Sequence, residues 1–142
     1  MNANKIMKKK KTYLLIVLLL IMTTGWSQKI RYDGYYHTLS DSLNPFRYYL
    51  RFYDDGTVIY YCTAGKPEAL LRWFSKNDNS SLKGRYNLKD SLLNFTVKGT
   101  DGEIIYNGTI IELSRLWMDV KSLINRYSGK EEYFFQEAKT MK

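Results

Sequence analysis

Apolar and polar side chains alternate with a period of two along several short stretches of this sequence. From Leu82 to Leu88 every even-numbered position is apolar or glycine, and every odd-numbered position is polar. From Phe46 to Tyr53 the even positions hold phenylalanine, tyrosine and leucine, and the odd positions hold arginine and tyrosine. Successive side chains of a β-strand point to opposite faces, whereas a helical pattern repeats every 3.6 residues. The alternation therefore predicts half-buried strands.

Turn residues separate the alternating stretches at short intervals. Asp54-Asp55-Gly56, Lys89-Asp90 and Asp101-Gly102 have the composition of hairpin turns. In the first of them we expect a left-handed glycine, which places Phe52 and Val58 on the same face. The sequence predicts an all-β fold of eight antiparallel strands, at residues 30–39, 46–53, 57–63, 81–88, 91–99, 103–112, 115–123 and 131–137.

Consecutive strands that are joined by hairpins close most simply into an up-and-down barrel. Closure also removes the exposed edges that a flat sheet would leave. A two-sheet sandwich is the alternative, although it usually has longer crossover connections. In the barrel, the two shorter turns are expected to set Tyr86 opposite Leu93 and Val97 opposite Tyr106.

Residues 67–76 depart from the strand pattern. They begin with Pro67-Glu68, a favourable first turn for a helix, and continue with several large apolar side chains. We predict one short helix here, between the third and fourth strands. We expect it to cap an open end of the barrel, with Trp73 or Phe74 as the plug.

The first 27 residues have the features of a secretory signal peptide. Lysines at positions 5 and 8–11 precede an apolar run from Tyr13 to Met22, and Gly25 and Ser27 supply a small-x-small cleavage motif. We expect cleavage before Gln28, a barrel domain at residues 28–142, and an exported protein that is secreted or periplasmic. An uncleaved anchor is the alternative, but the apolar run is shorter than the about 20 residues that a spanning helix needs.

The formal net charge of +8 is mostly a property of residues 1–27. They hold five of the 22 basic residues and none of the 14 acidic ones, so 17 basic residues face 14 acidic ones in the rest of the chain. A mildly basic exported domain needs no polyanionic partner. We therefore expect no nucleic acid as a partner, and contact with a membrane only through residues 1–27 if they are not cleaved.

Side chains that could perform catalysis or bind a metal are few. His37 and Cys62 are the only histidine and the only cysteine, whereas a zinc site needs several such ligands. We expect His37 on the outer face and Cys62 as a buried, inert thiol. The pair Asp54-Asp55 fits a hairpin turn, and no serine stands in a nucleophile-elbow motif. The sequence therefore predicts no catalytic residue, no metal site, no cofactor and no enzyme.

The chain resembles the lipocalin-like proteins of bacteria over nearly all of residues 28–142. Gly34-Tyr35-Tyr36 stands on the first strand, where lipocalins carry Gly-x-Trp, and residues 52–58 and 106–110 are similar to a hairpin and a strand of that group. The resemblance implies a barrel that binds a small molecule. Two departures limit it, because a tyrosine replaces the tryptophan and the last strand lacks the arginine that usually packs over it. Ligand-binding residues of the family therefore cannot be carried over.

The inward faces of the predicted strands converge on a set of aromatic side chains. An eight-stranded barrel is just large enough for its own side chains to fill it or for one small ligand. In the first case the outer face or the loops would carry the function, as a protein-interaction or inhibitor module, with the Arg47–Tyr53 face or the segment from Lys66 to Asn77 as the candidate surface. In the second case a small hydrophobic or amphipathic molecule would bind inside, lined by Tyr36, Tyr48, Phe52, Tyr60, Tyr86, Phe95, Tyr106 and Met118.

Overall fold

The computed structural model describes residues 29–40, 43–66, 70, 72–112 and 115–138. They form a closed barrel of eight antiparallel strands, which confirms the fold class. The predicted signal peptide, residues 1–27, lies outside the described residues. The strands are β1 Gly34–His37, β2 Arg47–Phe52, β3 Thr57–Thr63, β4 Leu82–Lys89, β5 Leu92–Gly99, β6 Gly102–Glu112, β7 Arg115–Ser122 and β8 Ser128–Glu137.

β1 closes the barrel by pairing with both β2 and β8. Tyr36 stands opposite Leu50 on one side and opposite Phe135 on the other. Each of the other strands pairs with its neighbours in the sequence, so no connection crosses over the barrel. The chain is therefore an up-and-down barrel and not the alternative two-sheet sandwich.

The hairpin between β2 and β3 forms as predicted. Gly56 has a φ of 86°, and Phe52 stands opposite Val58. The Asp55 carboxylate accepts a hydrogen bond from the Thr57 N–H over 2.9 Å, as an aspartate in a turn commonly does. A left-handed glycine therefore keeps the apolar sides of both strands on the interior face.

The predicted register between β4 and β5 is wrong by two residues. Asp90 and Ser91 form the turn, so Tyr86 stands opposite Phe95 and not opposite Leu93. Asp90 has a φ of 57°, a conformation that a short polar side chain tolerates better than most. A shift of two residues leaves every side chain on its predicted face.

The predicted register between β5 and β6 is also wrong by two residues. Thr100 and Asp101 form the turn, and the glycines on either side of them pair with each other. Val97 therefore stands opposite Ile104 and not opposite Tyr106. The interior face is again unchanged.

Alternate positions of all eight strands form one apolar core inside the barrel. Aromatic rings dominate it, and Phe52 contacts Tyr36, Tyr86 and Phe95 edge to face at centroid distances of 5.2 to 5.6 Å. Edge-to-face contacts suit the charge distribution of aromatic rings. The buried members are Ile30, Tyr36, Leu50, Phe52, Val58, Leu93, Phe95, Val97, Ile104, Tyr106, Ile110, Leu116, Met118, Val120 and Tyr133.

A second apolar cluster lies on the outside of the barrel. Tyr35, Tyr49 and Ile59 point outward from β1, β2 and β3, and Leu70 and Phe74 pack over them. All five side chains are buried. The connection between β3 and β4 therefore covers the outer face of three strands.

The prediction that this connection plugs an end of the barrel is wrong. Its residues 67–69 and 71 lie outside the described residues, and the rest contains a single turn in which the Leu70 carbonyl accepts hydrogen bonds from the Trp73 and Phe74 N–H groups over 2.9 and 3.1 Å. Leu70 and Phe74 are four residues apart, so a helical turn points both the same way, onto the barrel wall.

Within the described residues no helix has the length and apolar character needed to cross a membrane.

Loss of the Tyr53 hydroxyl is expected to loosen this outer cluster. The hydroxyl donates a hydrogen bond to the Phe74 carbonyl oxygen over 2.6 Å. Tyr53→Phe leaves that carbonyl without its donor, so the free energy of unfolding should fall by about 1–2 kcal/mol in urea denaturation. The matched control is Tyr32→Phe, which removes an exposed hydroxyl bonded to Tyr86. Its free energy of unfolding should differ from that of the unmodified chain by less than about 0.5 kcal/mol. An equal fall in the free energy of unfolding of the two variants would show that the Tyr53–Phe74 hydrogen bond does not stabilise the outer cluster.

Candidate functional site

The alternating directions of the strands bring four connections to one end of the barrel. These are the connections β1–β2, β3–β4, β5–β6 and β7–β8. We call this end the mouth. The Leu123 N–H donates a hydrogen bond to the Glu103 carbonyl oxygen over 2.9 Å, which ties the β7–β8 turn to the start of β6. Every strand of the barrel therefore begins or ends at the mouth.

Behind the mouth, side chains occupy the interior of the barrel. Phe95 and Tyr106 stack with their ring centroids 4.5 Å apart. The residues predicted to line a cavity all belong to the interior core or pack against it: Tyr36, Tyr48, Phe52, Tyr60, Tyr86, Phe95, Tyr106 and Met118. Of the two alternatives for the interior, the described residues favour the filled one.

A small pocket remains inside the barrel, next to the mouth. It measures about 30 Å³ and lies between β2, β3, β6, β7, β8 and the β7–β8 turn. Tyr48, Tyr60 and Tyr106, three of the predicted residues, line it. A pocket of this size accommodates one water-sized group. The predicted residues outside its lining are Tyr36, Phe52, Tyr86, Phe95 and Met118.

Glu131 supplies a carboxylate to this inner pocket. It faces inward from β8, two residues before Tyr133, whose hydroxyl donates a hydrogen bond to Glu131 Oε2. The Tyr127 hydroxyl also interacts with the carboxylate. Burial raises the pKa of Glu131, while the two phenol donors act in the opposite direction. In the described part of the chain, the groups that donate hydrogen bonds to this partly buried acid are therefore neutral hydroxyls.

The phenols around Glu131 are neutral groups with strong hydrogen-bonding capacity. Burial raises the pKa of Tyr60, Tyr106 and Tyr133 well above the usual value for tyrosine. Each hydroxyl therefore keeps its proton at neutral pH and can both donate and accept a hydrogen bond. A polar group that enters the pocket meets one carboxylate and several such hydroxyls.

A larger groove adjoins the inner pocket on the side of the mouth. It measures about 420 Å³ and shares Tyr48, Tyr127 and Glu131 with the pocket. Its volume lies within the range of about 300–1,000 Å³ that is typical of small-molecule sites. The rest of its lining combines apolar and polar side chains, namely Thr38, Leu39, Asn44, Phe46, Lys130, Glu132 and Phe134.

Exposed apolar side chains concentrate around this groove. In the described part of the chain, six of the ten large exposed hydrophobic residues lie on the β1–β2 and β7–β8 connections. Leu39 and Phe46, which line the groove, are 68% and 49% exposed. Single exposed apolar residues are common, but a group of them around a concave surface is typical of a binding site.

The other charged side chains that line the groove have partners of opposite charge. Glu132 accepts a hydrogen bond from the Arg115 guanidinium over 3.2 Å. The Lys130 ammonium lies 3.8 Å from the Asp119 carboxylate. These two charges are therefore compensated outside the inner pocket.

The remaining sequence candidates are absent from the groove lining or perform structural roles. His37 is on the outer face, as predicted, with its ring 6.1 Å from that of Tyr35. Cys62 is exposed, so the prediction of a buried thiol is wrong. The Lys76 ammonium, 2.5 Å from the Asp55 carboxylate, holds the pKa of Asp55 below its usual range in the β2–β3 turn. Among the described residues no group of three or more metal-ligating side chains comes together.

The Arg47–Tyr53 face does not form the open surface that the sequence indicated. Tyr49 is fully buried beneath the β3–β4 connection, and Tyr53 is bonded to that connection. The Arg51 guanidinium lies over the Tyr53 ring, 4.7 Å from its centroid. This face is therefore part of the outer cluster and not a free patch.

Sequence reasoning missed the position of Glu131. The predicted last strand began at this residue, and Glu131 was not among the side chains predicted to line the interior. The observed strand starts three residues earlier, at Ser128. Alternation counted backwards from Tyr133 would have placed Glu131 inside the barrel.

Comparison with known proteins gives no significant match to a family model, a curated protein or a solved structure. The resemblance to lipocalin-like proteins therefore stays a prediction.

Proposed function

We propose that this protein is an exported, non-enzymatic barrel that binds a small amphipathic molecule at its mouth. The observation that carries the proposal is the groove of about 420 Å³, which adjoins a pocket with a partly buried carboxylate. Export rests on the signal-peptide features of residues 1–27. Binding rather than catalysis fits an inner pocket whose lining combines one carboxylate with neutral hydroxyl and amide groups.

The lining of the groove favours an amphipathic ligand over a polar or a purely apolar one. Leu39, Phe46 and Phe134 offer apolar surface to one part of the ligand. Tyr127 and Glu131, which the groove shares with the inner pocket, offer hydrogen-bonding groups to the other. Sites for small molecules usually combine a mostly apolar wall with a few placed polar groups.

The proposed ligand class is the one that the sequence indicates, but its place is different. Because the core rings pack against one another behind the mouth, the ligand lies across the end of the barrel. Of the eight predicted lining residues, Tyr48 contacts both the groove and the inner pocket, and Tyr60 and Tyr106 border only the pocket.

Binding of a ten-carbon alcohol, 1-decanol, tests the proposal. We expect decanol to bind the full chain and to shift the backbone amide resonances of mouth residues such as Thr38 and Glu131. Phe46→Ala should weaken binding by about fivefold, because it removes about 1 kcal/mol of apolar contact. Since Phe46 is 49% exposed, the variant should fold normally.

Leu92→Ala is the matched control for this test. Leu92 is 58% exposed on the outer face of β5 and is not part of the groove lining, so its loss should leave decanol binding unchanged. Resonance shifts that map to the outer face around Leu92, or the absence of binding by any decyl amphiphile, would refute a ligand site at the mouth.

A protein-interaction module is the second candidate, and one observation favours it. Leu92 stands opposite Thr109, and Thr109 stands opposite Trp117, so the three form a row across the outside of β5, β6 and β7. Leu92 and Trp117 are both exposed. If this row binds a protein partner, Trp117→Ala should abolish its capture, whereas Phe46→Ala should not.

A further inference from the structure

Glu131 lies where the groove and the inner pocket meet, and its position suggests the chemistry of the ligand. Tyr48, Tyr127 and Glu131 line both spaces, so a molecule in the groove can place one end in the pocket. Among the described residues, no lysine, arginine or histidine lies within 4.0 Å of the Glu131 carboxylate, while the two other charged residues of the groove are paired. The site therefore has one acidic charge that lacks a cationic partner.

The pocket matches an ammonium group in size and in hydrogen-bonding character. Its volume of about 30 Å³ admits one group of the size of water, which is also the size of a primary ammonium. A primary ammonium has three N–H donors and no acceptor, so it needs a carboxylate and further oxygen acceptors around it. Glu131 supplies the first, and the lining residues Tyr48, Tyr60 and Ser122 carry hydroxyl oxygens of the second kind.

Aromatic rings around the pocket add a second source of affinity for a cation. The rings of Tyr48 and Tyr60 are nearly parallel, 22° apart, with their centroids separated by 6.2 Å. The ring of Tyr106 lies 6.5 Å from that of Tyr60. The negative face of an aromatic ring attracts a cation within about 6 Å, most strongly where water is excluded.

We propose that the ligand is a primary amine with an apolar tail, whose ammonium group enters the inner pocket and pairs with Glu131 while the tail lies in the groove. The inference rests on the proposed function and adds the charge and the size of the polar group. The negative charge of Glu131 would repel a carboxylate or phosphate head group. A quaternary ammonium would carry the right charge but exceed the volume of the pocket.

Four ten-carbon probes test the inference on the full chain at neutral pH: decylamine, 1-decanol, decanoate and decyltrimethylammonium. In calorimetric titrations decylamine should bind at least about tenfold more tightly than decanol, because it gains a desolvated charge pair. Decanoate should bind more weakly than decanol. Decyltrimethylammonium should show no advantage over decanol, and this comparison needs no variant that has to fold.

Glu131→Gln and Glu103→Gln form a matched pair of variants. Each removes one acidic charge at the mouth, but Glu103 is paired with Lys98, 2.8 Å away, and is not part of the lining. Glu131→Gln should reduce decylamine affinity to that of decanol, and Glu103→Gln should retain the preference of about tenfold. Equal loss in both variants would indicate a long-range charge effect and overturn the inference.

The outcomes separate the inference from the proposed function. If decanol and decylamine bind equally well at the mouth, the ammonium site is refuted and the amphiphile site stands. If decyltrimethylammonium binds as tightly as decylamine, the cation does not enter the inner pocket and the inference fails. If none of the four probes binds, the proposed function fails as well.

Discussion

Replacement of Gly84 by valine is expected to prevent stable closure of the barrel. A Cβ atom on Gly84 would lie 1.9 Å from the Thr96 carbonyl oxygen and 2.8 Å from the Thr96 carbonyl carbon. Both are backbone atoms of the neighbouring strand, so the clash can be relieved only by separating β4 from β5. We expect the free energy of unfolding to fall by about 3 kcal/mol or more, and the melting temperature by at least about 10 °C.

Gly65→Ala is the control for this prediction. The Cβ atom that alanine adds at this exposed position would meet, among the described residues, only the Thr63 hydroxyl oxygen, at 3.1 Å. Its unfolding free energy should stay within about 0.5 kcal/mol of the unmodified chain in thermal denaturation followed by circular dichroism. If the Gly84→Val variant has the same melting temperature as this control, the β4 and β5 strands are farther apart than described.

Period-two alternation was sufficient to predict the barrel because it records which face of each strand is buried. Tyr48, Leu50 and Phe52 sit at even positions of β2 and belong to or pack against the core. Alternation cannot choose between registers that differ by two residues, since both put the same side chains inside. Alternation alone therefore could not predict the turns at Asp90-Ser91 and Thr100-Asp101.

The outer cluster could not be predicted from strand patterns. Tyr49 stands at an odd position of β2 between arginines, which indicated a solvent-facing side chain. It is buried because Leu70 and Phe74, about 20 residues away in sequence, fold back over it. Alternation describes one sheet face at a time, and it contains no information about a loop that covers the other face.

Three of the predicted lining residues border the inner pocket, but the location of the groove was not predicted. Tyrosines with inward-facing hydroxyls were expected, and Tyr48, Tyr60 and Tyr106 do surround a pocket. Whether eight strands enclose empty space depends on the summed volumes and rotamers of the interior side chains, which alternation does not specify. The groove itself depends on loop conformations, which follow no periodic pattern.

The buried tyrosines also predict steep unfolding in alkali. Tyr36, Tyr106 and Tyr133 are at most 1% exposed, and burial raises the pKa of each, that of Tyr36 to about 12. In the unfolded chain a tyrosine ionises near pH 10. Above that pH the unfolded state loses protons that the folded state keeps, so the free energy of unfolding falls as the pH rises. Each such residue contributes about 1.4 kcal/mol per pH unit, and the three together about 4 kcal/mol per pH unit.

Tyr106→Phe measures the contribution of one hydroxyl to this slope. The substitution keeps the ring that stacks on Phe95 at 4.5 Å and removes one ionisable group. Between about pH 10 and pH 12 the unfolding free energy of the variant should therefore decline less steeply, by about 1.4 kcal/mol per pH unit. In the unmodified chain, the part of the tyrosinate absorbance that comes from these buried residues should rise together with the loss of the circular dichroism signal, because their hydroxyls ionise only when the barrel opens. Complete tyrosinate formation near pH 10 in a chain that keeps its folded signal would show that water reaches the interior phenols, and the filled core would be the wrong description.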